Sequence, residues 1–380
     1  MIISDRGKYL GFLMGPGSSN HIWDKALEKA SKRVELWTSL HAGMMFSILA
    51  HNHYITPVFS YIAQLITPSS EVQRFLKHIV YKLFPGPGNW MHIDLARSLK
   101  HLGFPCQLLD PVLVSIAAMR RYYERTGLNI GEMASEMFLH LKHYELQPHV
   151  NPKFLEWHGN AFCTNLVRNL HKSAPSCIGM PKDGFSSIKR NLIQKTLSKA
   201  LHEKAYNKTA AIGKLRRRLK RWDVLMNERR TTDRALRNLD TIRRRCKPAV
   251  QAAMLRTLLN GWVTKRRMRS LSVASDDYGI CVFGCGRGCD SIEHYAHCTI
   301  LLDFFSEAMA VKQQAGITHF LALGRRLSVE QLVIHTRCLY AAYLSHCILR
   351  HTSQSLLDNN GVQSLLRASL ARAGVGRRKA

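Results

Sequence analysis

The feature that most constrains this chain is an eighteen-residue stretch, C-V-F-G-C-G-R-G-C-D-S-I-E-H-Y-A-H-C, running from Cys281 to Cys298. It holds four of the ten cysteines and two histidines, and too few large apolar side chains to bury a core of its own. Such a segment needs a cross-link. The N-terminus, MIISDRGKYLGFLMG, lacks the basic region, apolar run and small-residue cleavage site of a secretory signal. Without export, a local cysteine cluster points to metal binding, not to a disulfide framework. Zinc takes four soft or borderline ligands in a tetrahedron. Cys281 and Cys285 can converge across a tight turn, because Gly284 and Gly286 let the backbone fold back. His294 and Cys298 are four apart, which on a helix places them on one face. The expected ligands of one structural zinc are therefore Cys281, Cys285, His294 and Cys298, with Cys289 and His297 as spare candidates. A catalytic zinc would need an open position and a poised carboxylate, for which Glu293 is the adjacent choice. The scattered cysteines, Cys106, Cys163, Cys177, Cys246, Cys338 and Cys347, are expected to be small buried apolar residues.

Charge supplies the second constraint. The formal net charge is +29, from 55 Lys and Arg against 26 Asp and Glu. Such an excess repels itself in a compact state and is offset by a polyanion. It is also concentrated: residues 188–270 hold 25 Lys and Arg against five acidic residues, so they supply 20 of the 29 excess charges. Lys214, Arg216, Arg217, Arg218, Lys220 and Arg221 form one run, Arg243, Arg244 and Arg245 a second, and Lys265, Arg266 and Arg267 a third. Arginine suits bidentate phosphate binding, and each neutralised phosphate adds salt-sensitive affinity. RNA or DNA is the expected partner. No run of about 20 uninterrupted apolar residues is present, so no membrane partner is expected. The most apolar stretch, Met44 to Ile66, is broken by His51, Asn52, His53, Pro57 and Gln64.

The periodicity is helical almost throughout. A short apolar run from Lys8 to Leu13 suits a strand, and Gly15 to Ser18 a turn. Ile22, Trp23, Ala26, Leu27, Ala30, Val34 and Trp37 recur at helical spacing. A second helix is expected over 42–65, kinked or split by Pro57, and a third from Thr67 to Leu83. The segment from Phe84 to Asn89, rich in Pro and Gly, marks a boundary. Helices are expected at 91–102 and 111–126, an irregular link over 145–187, and further helices at 299–313 and 328–350. Within 188–270, Leu192, Leu197, Leu201, Leu215, Leu219, Trp222, Leu225, Leu236, Leu239 and Ile242 keep amphipathic spacing, so this basic region is helical and not a disordered tail. The last thirty residues are expected to fray.

A polymerase or nuclease needs clustered carboxylates to hold divalent metal. The chain has no YxDD-like pair, and Asp276-Asp277, its adjacent pair before the cluster, reads as a surface cap. Neither Gly213-Lys214 nor Gly15 to Ser18 completes a phosphate loop. The expectation is a chain that is not an enzyme.

Three stretches carry a resemblance. Lys8-Tyr9-Leu10-Gly11 resembles the segment that follows the catalytic palm in reverse transcriptases of non-LTR (LINE-type) retrotransposons, and Trp37 and Pro57 match places in the helical thumb that comes next. Leu259 to Arg267, followed by Cys281-x3-Cys285 and Asp290 to Tyr295, is similar to the zinc-binding tail of such proteins, of the dinoflagellate type. The resemblance implies Cys281, Cys285, His294 and Cys298 as ligands. It also implies that fingers and palm would lie before Met1.

The expected fold is thus mainly α: a thumb-like helical bundle (1–83), a helical connector with an irregular linker (84–187), a basic amphipathic helical region (188–275), a zinc-knuckle module with following helices (276–350) and a basic flexible tail (351–380). The expected function is that of a non-catalytic C-terminal part of such a reverse transcriptase, binding RNA or DNA inside the cell, in nucleus or cytoplasm, with the missing polymerase part as a further partner. The alternative is a stand-alone zinc-containing nucleic-acid-binding structural or regulatory protein.

Overall fold

The computed structural model describes residues 7–9, 12–14, 21–64, 66, 68–88, 90–126, 188–189, 192–220, 222, 228–268, 280–286, 288–324, 326–352 and 358–374. The turn at Gly15 to Ser18, the linker 145–187, Arg221, Leu225, Asp276-Asp277, Cys163 and Cys177 lie outside them. The fold is mainly α, as expected. Among the described residues the only strands are Gly7–Tyr9 and Phe12–Met14, paired antiparallel with Lys8 opposite Leu13. The apolar run expected as one strand is therefore two short ones.

The chain forms two compact units, the first from residues 1–41, 47–83 and 108–207, the second from 42–46, 84–107 and 208–380. In the first unit, Asp24–Ser39 buries Ala26, Ala30 and Val34 at four-residue spacing, one stripe of a helix. Pro57 splits the next helix. It has no N–H to donate, and its ring would clash with the carbonyl of His53 in a continuous α-helix. Met44–Ala50 instead passes through one wide π turn, His51–Ile55, into Thr56–Ser60. Phe59 is fully buried and meets Trp23 at 6.3 Å between ring centroids.

Helix Ile193–Ala205 falls within this first unit. Ile193, Leu197 and Leu201 pack on Ile116 and Ala117 of Pro111–Thr126. A buried polar knot fixes the pairing. His202 Nδ1 faces the Ser198 carbonyl at 2.7 Å, and its Nε2 accepts from the Asp110 amide at 2.8 Å. The Tyr206 hydroxyl donates to the Asp110 carboxylate, which also caps Val112 N at 3.0 Å.

In the second unit, the helix expected over 91–102 is broken into Ile93–Ala96 and a 3-10 turn, Leu99–Leu102. Ser98 Oγ donates to the Asp94 carbonyl at 2.7 Å, a local bond that competes with helix continuation. Gly103, at φ +82, ends the turn. Its carbonyl accepts from Gln251 Nε2 at 2.9 Å, so this segment is held to the later helices. Arg256 fastens the same segment: its guanidinium lies 4.2 Å from the Trp90 ring centre and donates to the Pro85 carbonyl at 3.0 Å.

The basic helices Lys208–Lys220 and Glu228–Arg245 bury Leu215, Leu219, Leu239 and Ile242 while their cations face outward or sideways. Pro248–Leu258 follows and ends in a Schellman motif. Asn260 sits at φ +52, the Gly261 amide donates to the Arg256 carbonyl at 2.7 Å, and the Asn260 amide to the Thr257 carbonyl at 3.0 Å. A Cβ on Gly261 would lie 2.8 Å from both Arg256 and Trp90 atoms. The turn delivers Trp262 into the core, where it is fully buried against Tyr295, Phe320, Tyr343 and His346. Trp262→Ala is expected to cost about 3–5 kcal/mol of unfolding free energy, read from urea denaturation, because it leaves a large cavity ringed by aromatic groups.

Val329–Leu349 is the central helix of this unit, started by a capping box of Ser328 and Gln331. It is also long and apolar enough to cross a membrane, but 56% of its most apolar window is buried inside the unit. It packs against Pro248–Leu258, Thr299–Met309 and Asn359–Gly374. That last helix corrects the expected fraying tail. Val362, Leu366, Ser369 and Ala373 form its buried stripe, and Ser345 Oγ lies 3.2 Å from Ser369 Oγ. Small residues let the two helices approach closely, and they give only a weak apolar signal in sequence.

Candidate metal centre

The segment around Cys281 begins at an isolated bridge between Ile280 and Cys289, which closes the glycine-rich loop at its base. Gly284 and Gly286 both adopt positive φ, +80 and +68, and the Gly284 amide donates to the Cys281 carbonyl at 2.9 Å. This is the fold-back that brings Cys285 next to Cys281. His294 lies on a single turn, Ile292–Tyr295, capped by Ser291, whose Oγ accepts from the His294 amide at 3.1 Å. That turn stops before Cys298, so His294 and Cys298 do not share one helix face as the spacing suggested. Cys298 is instead the N-cap residue of Thr299–Met309, in extended backbone.

Despite that difference the expected residues meet. One donor atom from each of Cys281, Cys285, His294 and Cys298 lies within 4.8 Å of the others. Cys281 Sγ and Cys298 Sγ are 3.8 Å apart, and Cys285 Sγ is 3.2 Å from His294 Nε2. A tetrahedron with Zn–S near 2.3 Å and Zn–N near 2.0–2.1 Å has S–S edges of about 3.8 Å and S–N edges of about 3.6 Å. The group could hold a metal ion, and its donor set is consistent with zinc. Cys281 and Cys298 are fully buried, and Phe283, Ile292 and Tyr295 beneath them are equally dry. Cys289 and His297 stand outside the group: Cys289 Sγ faces Ser291 Oγ at 3.5 Å, and His297 is exposed. Glu293 lies 3.7 Å from Arg266.

The electrostatics of the group fit a cation. The adjacent Cys298 thiol, together with burial, pushes the Cys281 thiol far above its ordinary range. Two thiolates here need a positive partner, and a divalent metal supplies one. Burial, with the neighbouring His297, lowers the His294 imidazole and favours the neutral form, whose lone pair ligates.

Sequence reasoning missed Gly288. It sits at φ +79, and a Cβ there would lie 2.2 Å from His294 Nδ1. Gly288→Ala is thus expected to push the imidazole out of place and weaken metal affinity by about 10–100-fold, the range for losing a residue that orients a ligand. Competition with a chromogenic chelator measures it. The signal was present in sequence as a third glycine in the loop, but nothing there pairs it with His294.

The basic residues take three settings. Lys214, Arg217 and Arg218 line one open cleft with Trp90, His92, Asp94 and Leu95. Lys214 Nζ is 2.7 Å from Asp94 Oδ2. Burial raises the Asp94 carboxyl, but the hydrogen bond and charge of Lys214, together with His92 and Arg97, hold the group below its ordinary value. Arg216 is half-buried and Lys220 exposed on the same helix. Arg243 and Arg244 both hold Asp240, at 3.0 and 2.6 Å, and Arg245 is exposed beside them. Lys265 and Arg266 are exposed and Arg267 half-buried on the short turn Lys265–Met268, which adjoins the metal loop. Among the described residues these cations are thus spread over one cleft, one helix end and one turn. Comparison with known proteins finds no family model, no curated protein and no solved structure that matches this chain.

Proposed function

We propose that the chain is a nucleic-acid grip stapled by one structural zinc, serving as the non-catalytic C-terminal part of a non-LTR retrotransposon reverse transcriptase. The observation that carries the reading is the meeting of Cys281, Cys285, His294 and Cys298 within 4.8 Å, directly after a segment that supplies most of the excess positive charge. Zinc is favoured over other cations by three thiols and one imidazole in a tetrahedral spacing. A structural role is favoured because all four positions are filled by side chains.

The retroelement reading is supported by how the resembling stretches behave together. Trp262 packs on Tyr295 at 5.6 Å between centroids, and the Lys265 amide donates to Asp290 at 2.7 Å. The two motifs form one packed assembly, as parts of a single inherited tail would. In this reading RNA and DNA backbones are the partners, together with the polymerase part of the same element. The chain works inside the cell, where thiols stay reduced, without a membrane, and it does not polymerise.

Sequencing the genomic DNA upstream of Met1 tests the origin. An in-frame or recently interrupted palm with a YADD-like motif supports it, and unrelated sequence behind a clean promoter contradicts it. Magnesium-dependent primer extension by the purified chain would contradict the non-catalytic role.

A further inference from the structure

The turn Lys265–Met268 carries three consecutive cations, yet it has too little apolar surface to hold itself in place: none of its residues is buried. What holds it is Asp290. This carboxylate is 1% exposed, and its Oδ2 accepts from the Lys265 amide at 2.7 Å. Its own carbonyl accepts from the Arg266 amide at 3.2 Å. Its Oδ1 accepts from the Tyr295 hydroxyl, so one buried side chain ties the turn to the residue next to ligand His294. Glu293, the residue before that ligand, reaches Arg266 at 3.7 Å. Thr264 completes the turn, its Oγ1 accepting from the Arg267 amide at 3.3 Å.

Apart from the bonds to Thr264 and the Arg267 guanidinium, which donates to the Gly88 carbonyl at 3.4 Å, these tethers arise from residues 290–295. That segment follows Cys285 and contains His294, and its own apolar anchors are Ile292 and Tyr295. A metal joining Cys285 to His294 adds a cross-link to a loop otherwise fixed by Ile292, Tyr295 and two long contacts, Glu293 to Arg266 at 3.7 Å and Asp290 to His346 at 3.9 Å.

Building on the nucleic-acid reading above, we propose that metal loading controls nucleic-acid affinity by locking Lys265, Arg266 and Arg267 into a fixed turn through Asp290. Ordered cations bind a phosphate backbone without first losing the conformational freedom of the turn, so affinity is higher when metal is bound. The coupling is reciprocal: nucleic acid tightens metal binding by the same factor.

The test uses the full chain, zinc-loaded and chelator-stripped, with a labelled 20-nucleotide oligothymidylate read by fluorescence anisotropy. Stripping the native chain is expected to weaken binding about tenfold. The triple variant Lys265→Gln, Arg266→Gln, Arg267→Gln binds more weakly when loaded, and stripping changes it by less than about twofold. Hydrogen exchange supplies the local readout: the Lys265 and Arg266 amides lose protection on stripping, while Val329–Leu349 keeps its own. Unchanged affinity of the stripped native chain overturns the proposal. So does an equal loss in the triple variant, or loss of protection throughout Val329–Leu349, which would mean general unfolding. A loaded chain that fails to bind the oligonucleotide at low salt overturns the nucleic-acid reading itself, a result distinct from metal-insensitive binding.

Discussion

Replacing Cys285 and His294 together, as Cys285→Ser with His294→Ala, is expected to leave the purified chain without bound zinc and to lower its unfolding free energy by about 5 kcal/mol or more. Structural zinc contributes roughly 10–16 kcal/mol in small modules that have no other core. Here Phe283, Ile292 and Tyr295 are buried in the aromatic core around Trp262, which retains part of the structure and reduces the loss below that range. The remaining loss is still large, because Cys281 and Cys298 stay behind as two buried thiols with no cation between them. Urea denaturation followed by near-UV circular dichroism measures the change, since Trp262 and Tyr295 of this cluster contribute to the signal. Zinc content unchanged in the double variant would exclude the assigned ligands.

The second large effect is on binding. A chain that neutralises six to ten phosphates loses about 10³–10⁵ in affinity between 50 and 200 mM salt, and a loss in that range is expected if the 20 excess charges of residues 188–270 serve the proposed grip. The charges are unequal in value. Arg243 and Arg244 both hold Asp240, and Lys214 holds Asp94, so each of these offers less charge to a ligand. Arg217 and Arg218 line the open cleft beside that last pair. Arg217→Gln with Arg218→Gln is expected to reduce the slope of log affinity against log salt by about 2, one unit for each phosphate that is no longer neutralised. A titration of fluorescence anisotropy against salt measures it, and salt-independent binding would refute the electrostatic grip.

The sequence made some of this legible and hid the rest for identifiable reasons. Helices whose apolar residues keep a regular spacing, such as Asp24–Ser39 and Glu228–Arg245, could be read from sequence because burial follows the 3.6-residue repeat. The final helix could not, since its buried face includes Ser369 and Ala373. The two-unit division was also hidden. It depends on pairings far apart in sequence, such as Asp110 with His202 and Gly103 with Gln251, which no local pattern announces.

At the candidate metal centre the four residues that meet were legible from residue type and spacing, although the route was only half right. The glycine fold-back at Cys281 and Cys285 holds, whereas His294 and Cys298 reach the site from separate elements. Gly288 and Asp290 carried no such signal. Their roles come from shape at His294 and from amides 25 residues upstream. The Asn260-Gly261 pair was legible only as part of a resemblance; its physical reason is the Schellman turn that aims Trp262 inward.

The central claim is a single Cys3His zinc at the end of a basic helical unit. X-ray absorption at the zinc edge of the purified full chain tests it most directly. The account predicts one zinc per chain with about three sulfurs near 2.3 Å and one nitrogen near 2.0–2.1 Å. A metal-free protein, or a shell of oxygen ligands around the ion, would contradict it.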